Sequence, residues 1–170
     1  SNLEKIDYGA FWGATELTSI TIPKSVTYIY DRAFMGTTNL TTVTFDDISN
    51  SQLAHIYGAS GSGNNDYGDD VWTGGAFKDS GLTSIIIPAS VQTIGRRTFR
   101  NTPLVSVTFK ADSSLNTLKY GAFEGCTALT SITIPKSLYG PNQYWNINLF
   151  NGCTALQTVE FEEPANLTFI

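Results

Sequence analysis

The residues able to carry chemistry are few, and their spacing limits what they could do. His55 is the one histidine of the 170-residue chain, so a Ser-His-Asp triad or a Cys-His pair would have to be built on it alone. A metal site with two histidines is out of reach for the same reason. His55 also occupies an x position of Leu53-x-x-Ile56, where it reads as a surface side chain. Gly58, Gly61, Gly63 and Gly68 lie in a polar stretch without a following Lys-Ser/Thr, so no phosphate cradle is expected. The run Asn64 to Asp70 looks superficially like a calcium loop. It lacks the register and the closing bidentate Glu, and reads as a solvated loop. Asn39-Leu-Thr41 and Asn166-Leu-Thr168 satisfy the glycosylation sequon but are embedded in repeat turns. No catalytic constellation assembles from this set. The expectation is a non-enzyme with no cofactor and no metal.

Charge excludes further classes. The net charge of −5, with only 15% charged residues, makes nucleic acid a poor partner, because binding there depends on cationic contacts to phosphate. No apolar run approaches the ~20 residues that span a bilayer, and no basic-then-apolar leader is present, so no membrane insertion is expected in this segment.

The elements that position everything else are repeats. Leu-x-x-Ile-x-Ile-Pro stands at Leu17, Leu82 and Leu129, and alternates with Leu-x-x-Val-x-Phe at Leu40, Leu104 and Leu156. Apolar residues alternate there with Thr and Ser, the period of a strand. An apolar pair three apart follows, such as Val26/Ile29, Val91/Ile94 or Leu115/Leu118. Each unit then reaches a Phe: Phe11, Phe34, Phe77, Phe99, Phe123 and Phe150. One unit cannot bury its apolar side alone, so the units must stack. Stacking predicts a Leu column, a Phe column and a parallel sheet about 4.8 Å per step. Pro23, Pro88 and Pro135 should end their strands, and a helical or 3₁₀ turn is expected around each Phe. The whole of 1–170 reads as one array of about six units, with both ends falling inside a repeat as in a piece of a longer array. Cys126 and Cys153 hold the same place in consecutive units. Parallel side chains there keep the Cβ atoms beyond the ~3.8 Å that a disulfide prefers, so two buried thiols are expected rather than a bridge.

The run LTSITIPKSV…I…AFMGTTNL and its copies ending GAFEGCTALTSITIPKSL and LFNGCTAL resemble the BspA-like (Treponema-type) leucine-rich repeats. The resemblance implies a right-handed leucine-rich-repeat solenoid of α/β class, mainly parallel sheet, with no catalytic motif to carry over. It further implies a secreted or surface-attached bacterial protein that binds another protein in adhesion, such as a host matrix or cell-surface protein. The competing expectation is a structural spacer without a ligand. The family's Cys survives only as Cys126 and Cys153, with Ala14 and Thr37 in its place elsewhere.

Two units carry extra residues, at 57–72 and 139–144. Trp72 and Trp145 stand where each loop rejoins the repeat and are expected to anchor it. Insertions in repeat proteins map to one face, often the binding face. The expected site is therefore a groove between them. Its acidic wall would be Asp66, Tyr67, Asp69 and Asp70, its floor Arg96, Arg97, Lys119 and Tyr120, and its aromatic wall Tyr139 and Tyr144. The alternative site is the hydroxyl-rich sheet face of Thr21, Thr44, Ile86, Thr108 and Thr133.

Overall fold

The computed structural model describes residues 2–58, 74–138 and 148–163. Within them the chain winds as a β-solenoid of short parallel strands with almost no helix. Four-residue strands mark the Leu-x-x-Ile/Val repeats: β2 (Ser19–Ile22), β4 (Thr42–Phe45), β6 (Ser84–Ile87), β8 (Ser106–Phe109), β10 (Ser131–Ile134) and β11 (Thr158–Phe161). Two-residue strands mark the second apolar position of each unit: β1 (Lys5–Ile6), β3 (Tyr28–Ile29), β5 (His55–Ile56), β7 (Thr93–Ile94) and β9 (Thr117–Leu118).

The sheet departs from the expected single ribbon. The longer strands pair only two by two, β2 with β4, β6 with β8 and β10 with β11, while the two-residue strands make the continuous five-stranded sheet β1-β3-β5-β7-β9. Proline accounts for the position of the breaks. In each pair the residue after the second strand donates its N–H back to the first: Asp46 to the Ile22 carbonyl at 2.8 Å, Lys110 to Ile87 at 3.0 Å, Glu162 to Ile134 at 2.9 Å. The same place in the next unit is Pro88 or Pro135, which has no N–H to give. Each Pro unit therefore starts a new pair.

A third ladder runs along the Phe column. Phe34 donates its N–H to the Ala76 carbonyl at 2.7 Å, Phe77 to Thr98 at 2.9 Å, Phe99 to Ala122 at 2.8 Å and Phe123 to Leu149 at 3.1 Å. These segments are hydrogen-bonded turns rather than the expected helical or 3₁₀ turns; the 3₁₀ segments among the described residues lie elsewhere, at Ile48–Asn50 and Lys136–Leu138. The six rings stack as expected, Phe11 on Phe34 at 5.1 Å, then 5.0 Å to Phe77, 5.5 Å to Phe99, 5.5 Å to Phe123 and 5.7 Å to Phe150. The Leu column is fully buried at Leu40, Leu82, Leu104 and Leu129, and half-buried at Leu17 and Leu156.

Cys126 and Cys153 are free, buried thiols. Each donates to a column Phe carbonyl of the preceding coil, Cys126 to Phe99 at 3.1 Å and Cys153 to Phe123 at 3.0 Å. The hydrogen bond with the Cys153 thiol, and then burial, hold the Cys126 thiol well above its ordinary range. The same hydrogen bond lowers the Cys153 thiol, against the effect of its burial, and both thiols pack and satisfy backbone carbonyls.

Phe34 is fully buried between two rings, so Phe34→Ala leaves a cavity that neighbouring coils cannot close without moving their own ladders. The expected cost is about 3–5 kcal/mol. Urea unfolding measures it, and a variant of parental stability would mean that the column does not carry the stack.

Candidate functional site

Every coil turns a corner at its column Phe, and the corner demands left-handed backbone. Two residues after the Phe this falls on Gly13, Gly36, Asp79, Asn101, Gly125 and Gly152. Two residues before it, the positions are Gly9, Arg32, Arg97, Gly121 and Asn148. Glycine, asparagine and aspartate tolerate positive φ, whereas other L-residues give up roughly 1–2 kcal/mol there. Arg32 (φ 59°) and Arg97 (φ 54°) are the exceptions at these corners. Strained side chains retained at equivalent positions point to a role for the side chain.

Both arginines lie over aromatic rings and beside a carboxylate. The Arg97 guanidinium sits 5.5 Å from the Tyr120 ring centre and that of Arg96 5.6 Å, so two cations share one ring. Arg97 Nε donates to Glu124 Oε2 at 3.1 Å, and Arg100 Nη2 lies 3.4 Å from Glu124 Oε1. Asn148 Nδ2 donates to the Tyr120 hydroxyl at 3.3 Å. Arg32 on the second coil lies over two rings of the first, Tyr8 at 5.4 Å and Trp12 at 5.2 Å, with Asp31 at 3.8 Å. Tyr8 and Trp12 are more than half exposed.

The arginine corner lies between the coils of Gly75 and Asn148. At the first, Gly58 and Gly75 face one another in an antiparallel bridge. A Cβ on Gly58 would overlap the Arg96 carbonyl, one on Gly75 the Arg97 carbonyl, and one on Gly95 the Gly58 nitrogen. Gly74 rests on the Asp31 carboxylate in the same way. Glycine is therefore required at Gly58, Gly75 and Gly95 by close approach of backbones, not by φ. At the second, Asn148 is the Tyr120 partner. Gly75 and Asn148 hold the same place, two before Phe77 and Phe150.

Of the expected groove, Arg96, Arg97, Lys119 and Tyr120 come together on adjacent coils. Lys119 is exposed, Arg96 half-buried, and Arg97 is engaged by Glu124. Asp66, Tyr67, Asp69, Asp70, Trp72, Tyr139, Tyr144 and Trp145 lie outside the described residues. The alternative residues Thr21, Thr44, Ile86, Thr108 and Thr133 are all exposed on the faces of the longer strands. Thr21 and Thr44 hydroxyls bond one another at 2.9 Å, and Thr133 donates to Glu160 at 3.3 Å. Ile86 stands 49% exposed among them.

Three features escape the sequence reading: Arg32 with Tyr8 and Trp12, Glu124 as the partner of Arg97 and Arg100, and an aromatic block. The block is Tyr28, Tyr30, His55 and Tyr57 on neighbouring strands. His55 stacks 5.4 Å from Tyr28 and 5.4 Å from Tyr57, so it is half-buried among rings rather than a plain surface residue. The signals were present. Arginine occupies a Gly/Asn position in two units, and aromatics recur two apart in successive units.

Comparison with known proteins gives a consistent picture. The family model for the BspA type leucine rich repeat region matches residues 1–58 and 73–170 in six copies. The pneumococcal vaccine antigen PcpA is 33% identical with a TM-score of 0.66 over 86% of this chain and 31% of that one. The leucine-rich-repeat protein TpLRR of T. pallidum is 24% identical with a TM-score of 0.68, over 94% of this chain and 64% of that one, and supports the fold. The chain thus spans less than two thirds of either structure's length. No curated protein matches the chain significantly. Among the described residues no helix is long and apolar enough to cross a membrane. No group of three or more His, Cys, Asp or Glu is placed among them to hold a metal ion.

Two outcomes test this geometry. Gly58→Ala forces the Gly58 backbone away from Arg96 and is expected to cost about 1–3 kcal/mol, the range of an overpacked site; an unfolding midpoint equal to the parent's would contradict the close approach. Asp31 is the second. Burial, opposed by Arg32 and by the Arg32 and Gly75 N–H groups, raises its carboxyl above the ordinary 3.8. A raised folded-state value favours folding while the group is protonated, and that contribution is lost as pH climbs through the raised value. Asp31→Asn keeps an uncharged acceptor, so its urea midpoint relative to the parent should improve from about pH 3.5 to about pH 7. A difference independent of pH would show that Asp31 is not desolvated.

Proposed function

The chain belongs to the BspA-type leucine-rich-repeat family, and from that premise we propose that it is a non-enzymatic extracellular or cell-surface module that binds another protein in adhesion. The coarser part rests on kinship. Leucine-rich-repeat proteins generally act as protein-interaction scaffolds, and the pneumococcal relative is a vaccine antigen. The finer part rests on one observation. Two arginines lie over Tyr120 at the corner between Gly75 and Asn148. Arginine and tyrosine are the residues that anchor interfaces. The left-handed strain at Arg97 argues against a bare spacer, for which glycine would serve better. The same proposal takes in Asp66, Asp69, Asp70, Tyr139 and Tyr144 from the two extra stretches of sequence that precede Gly75 and Asn148.

One observation favours a second reading. Ile86 is an exposed apolar residue among hydroxyls on the strand face, and a partner could seat there instead. The two readings separate in one experiment. Matrix and serum proteins are captured on the immobilised chain, and the captured protein is retested on two variants. Arg96→Ala with Tyr120→Ala should weaken binding about tenfold or more, the size of one interface anchor, while Thr108→Lys leaves it unchanged. The reverse pattern moves the site to the strand face, and capture of nothing removes the proposal.

A further inference from the structure

We infer that Pro88 and Pro135 set two hinge lines in the longer-strand face, about which the array bends while its Phe corner keeps a fixed spacing. The inference concerns motion of the fold and holds whichever face takes a partner.

The backbone carries it. In a parallel ladder the N–H and C=O of one residue point to the same neighbouring strand, and successive residues alternate sides. Lys110 donates to the Ile87 carbonyl, so Ile87 faces β8, and the backbone groups of Ser84 and Ile86 face β4. Asp46 donates to the Ile22 carbonyl, so Asp46 and Thr44 face β2, and Val43 and Phe45 face β6. These groups point at one another, yet among the described residues no hydrogen bond joins β4 to β6. The second gap repeats the first. Glu162 donates to Ile134, which turns Ser131 and Thr133 toward Val107 and Phe109, and no hydrogen bond joins β8 to β10. Pro88 and Pro135 stand where an N–H would otherwise meet the Phe45 and Phe109 carbonyls.

Side chains follow the same division. Thr21 with Thr44 at 2.9 Å, Thr133 with Glu160 at 3.3 Å and Lys24 with Asp47 at 3.8 Å all lie within a pair. The Lys136 N–H donates to Glu162 Oε2 at 3.1 Å, again within a pair. Across the first gap Thr44 is followed by Ile86, and across the second Val105 is followed by Thr130. Ile86 and Val105 are the apolar side chains of this face that stand about half exposed, at 49% and 53%. Each gap therefore lacks a donor in the backbone and a hydroxyl at its rim.

Elsewhere the same coils are firmly joined. Across the first gap Phe77 N–H meets the Thr98 carbonyl at 2.9 Å, Asp79 that of Arg100 at 2.9 Å, and Gly95 that of Ile56 at 2.8 Å. Across the second, Phe123 N–H meets the Leu149 carbonyl at 3.1 Å and Gly125 that of Asn151 at 2.8 Å. The ring stack also runs through, at 5.5 Å and 5.7 Å. On the strand side the gaps are held only by the burial of Val43 and Ile85, or of Val107 and Ile132, in the common core. Burial is non-directional and tolerates small changes of separation, whereas ladder hydrogen bonds are lost as they lengthen and tilt. Directional bonds on one side and none on the other make a hinge. Three two-coil blocks thus tilt against one another, so the strand face alters its curvature and the Phe corner does not.

Two measurements test this on the whole chain. Amide exchange followed by NMR needs no substitution. The Ile86 and Thr133 amides, which face the gaps, should exchange about a hundredfold or more faster than those of Thr44 and Thr108, which face their pairs, after correction for intrinsic rates. Equal protection would mean that the gaps are bonded and would overturn the inference. The second measurement is the spread of distances between two spin labels, by double electron–electron resonance. Labels at Ser19→Cys and Ser131→Cys cross both gaps on the strand face. Labels at Thr38→Cys and Thr154→Cys cross the same number of coils along the Phe corner, each pair spanning roughly 19 Å at the sheet spacing. Cys126→Thr with Cys153→Thr removes the native thiols, using the residue found at that place in Thr37 and Thr102. The strand-face distribution should be the broader one and should narrow in Pro88→Thr with Pro135→Thr. Equal widths in the parent would show the gaps to be rigid, and an unchanged width in the threonine variant would take the hinges away from the prolines; either overturns the inference.

Discussion

The whole structure depends on coils being unable to satisfy themselves. A single unit has too few apolar residues to close a core and sends its backbone N–H groups outward along the axis. Both needs are met by the next coil, through the Phe stack and the ladders beside it. Because rings and hydrogen bonds advance together, a coil cannot slide without losing both. That rigidity puts Arg97 of one coil over Tyr120 of the next, and Gly75 against the Arg97 carbonyl.

Proline modulates this constraint. By withholding one N–H at Pro88 and Pro135, the chain divides the longer strands into pairs and leaves continuity to the two-residue strands and the Phe ladder. The longer-strand face is thus a set of paired ribbons, with Thr21 and Thr44 meeting inside one pair.

What could be read in the sequence follows from these constraints. The alternation of Leu-x-x-Ile-x-Ile and the recurrence of Phe are dictated by burial, so the fold, the columns and the two thiols were legible. The site was legible only in part. Arg96, Arg97 and Tyr120 could be placed on adjacent coils by counting, but Glu124 could not be assigned to them, because its partner depends on a rotamer and not on a spacing. His55 was placed on a strand, yet its neighbours Tyr28 and Tyr57 sit 27 residues before it and two after it, linked only by the register of β3 with β5. The division of the sheet was foreshadowed by the prolines, while the ladder that replaces it runs through backbone atoms that carry no sequence signal.

The corner and the core make opposite demands on the same residues, and this is why the corner can vary. Side chains facing inward at Phe77, Phe99 and Phe123 must match their neighbours in shape or the stack opens. Two residues before Phe99 and Phe123, at Arg97 and Gly121, the backbone demand is for positive φ, which glycine meets at least cost. Placing Arg there sacrifices some stability, offset by Tyr120 and Glu124 on the next coil. The compensation uses the same rings and carboxylate that hold the guanidinium in a fixed orientation. Strain, support and presentation of the cation are therefore one arrangement, built where the fold constrains backbone tightly and side chains hardly at all.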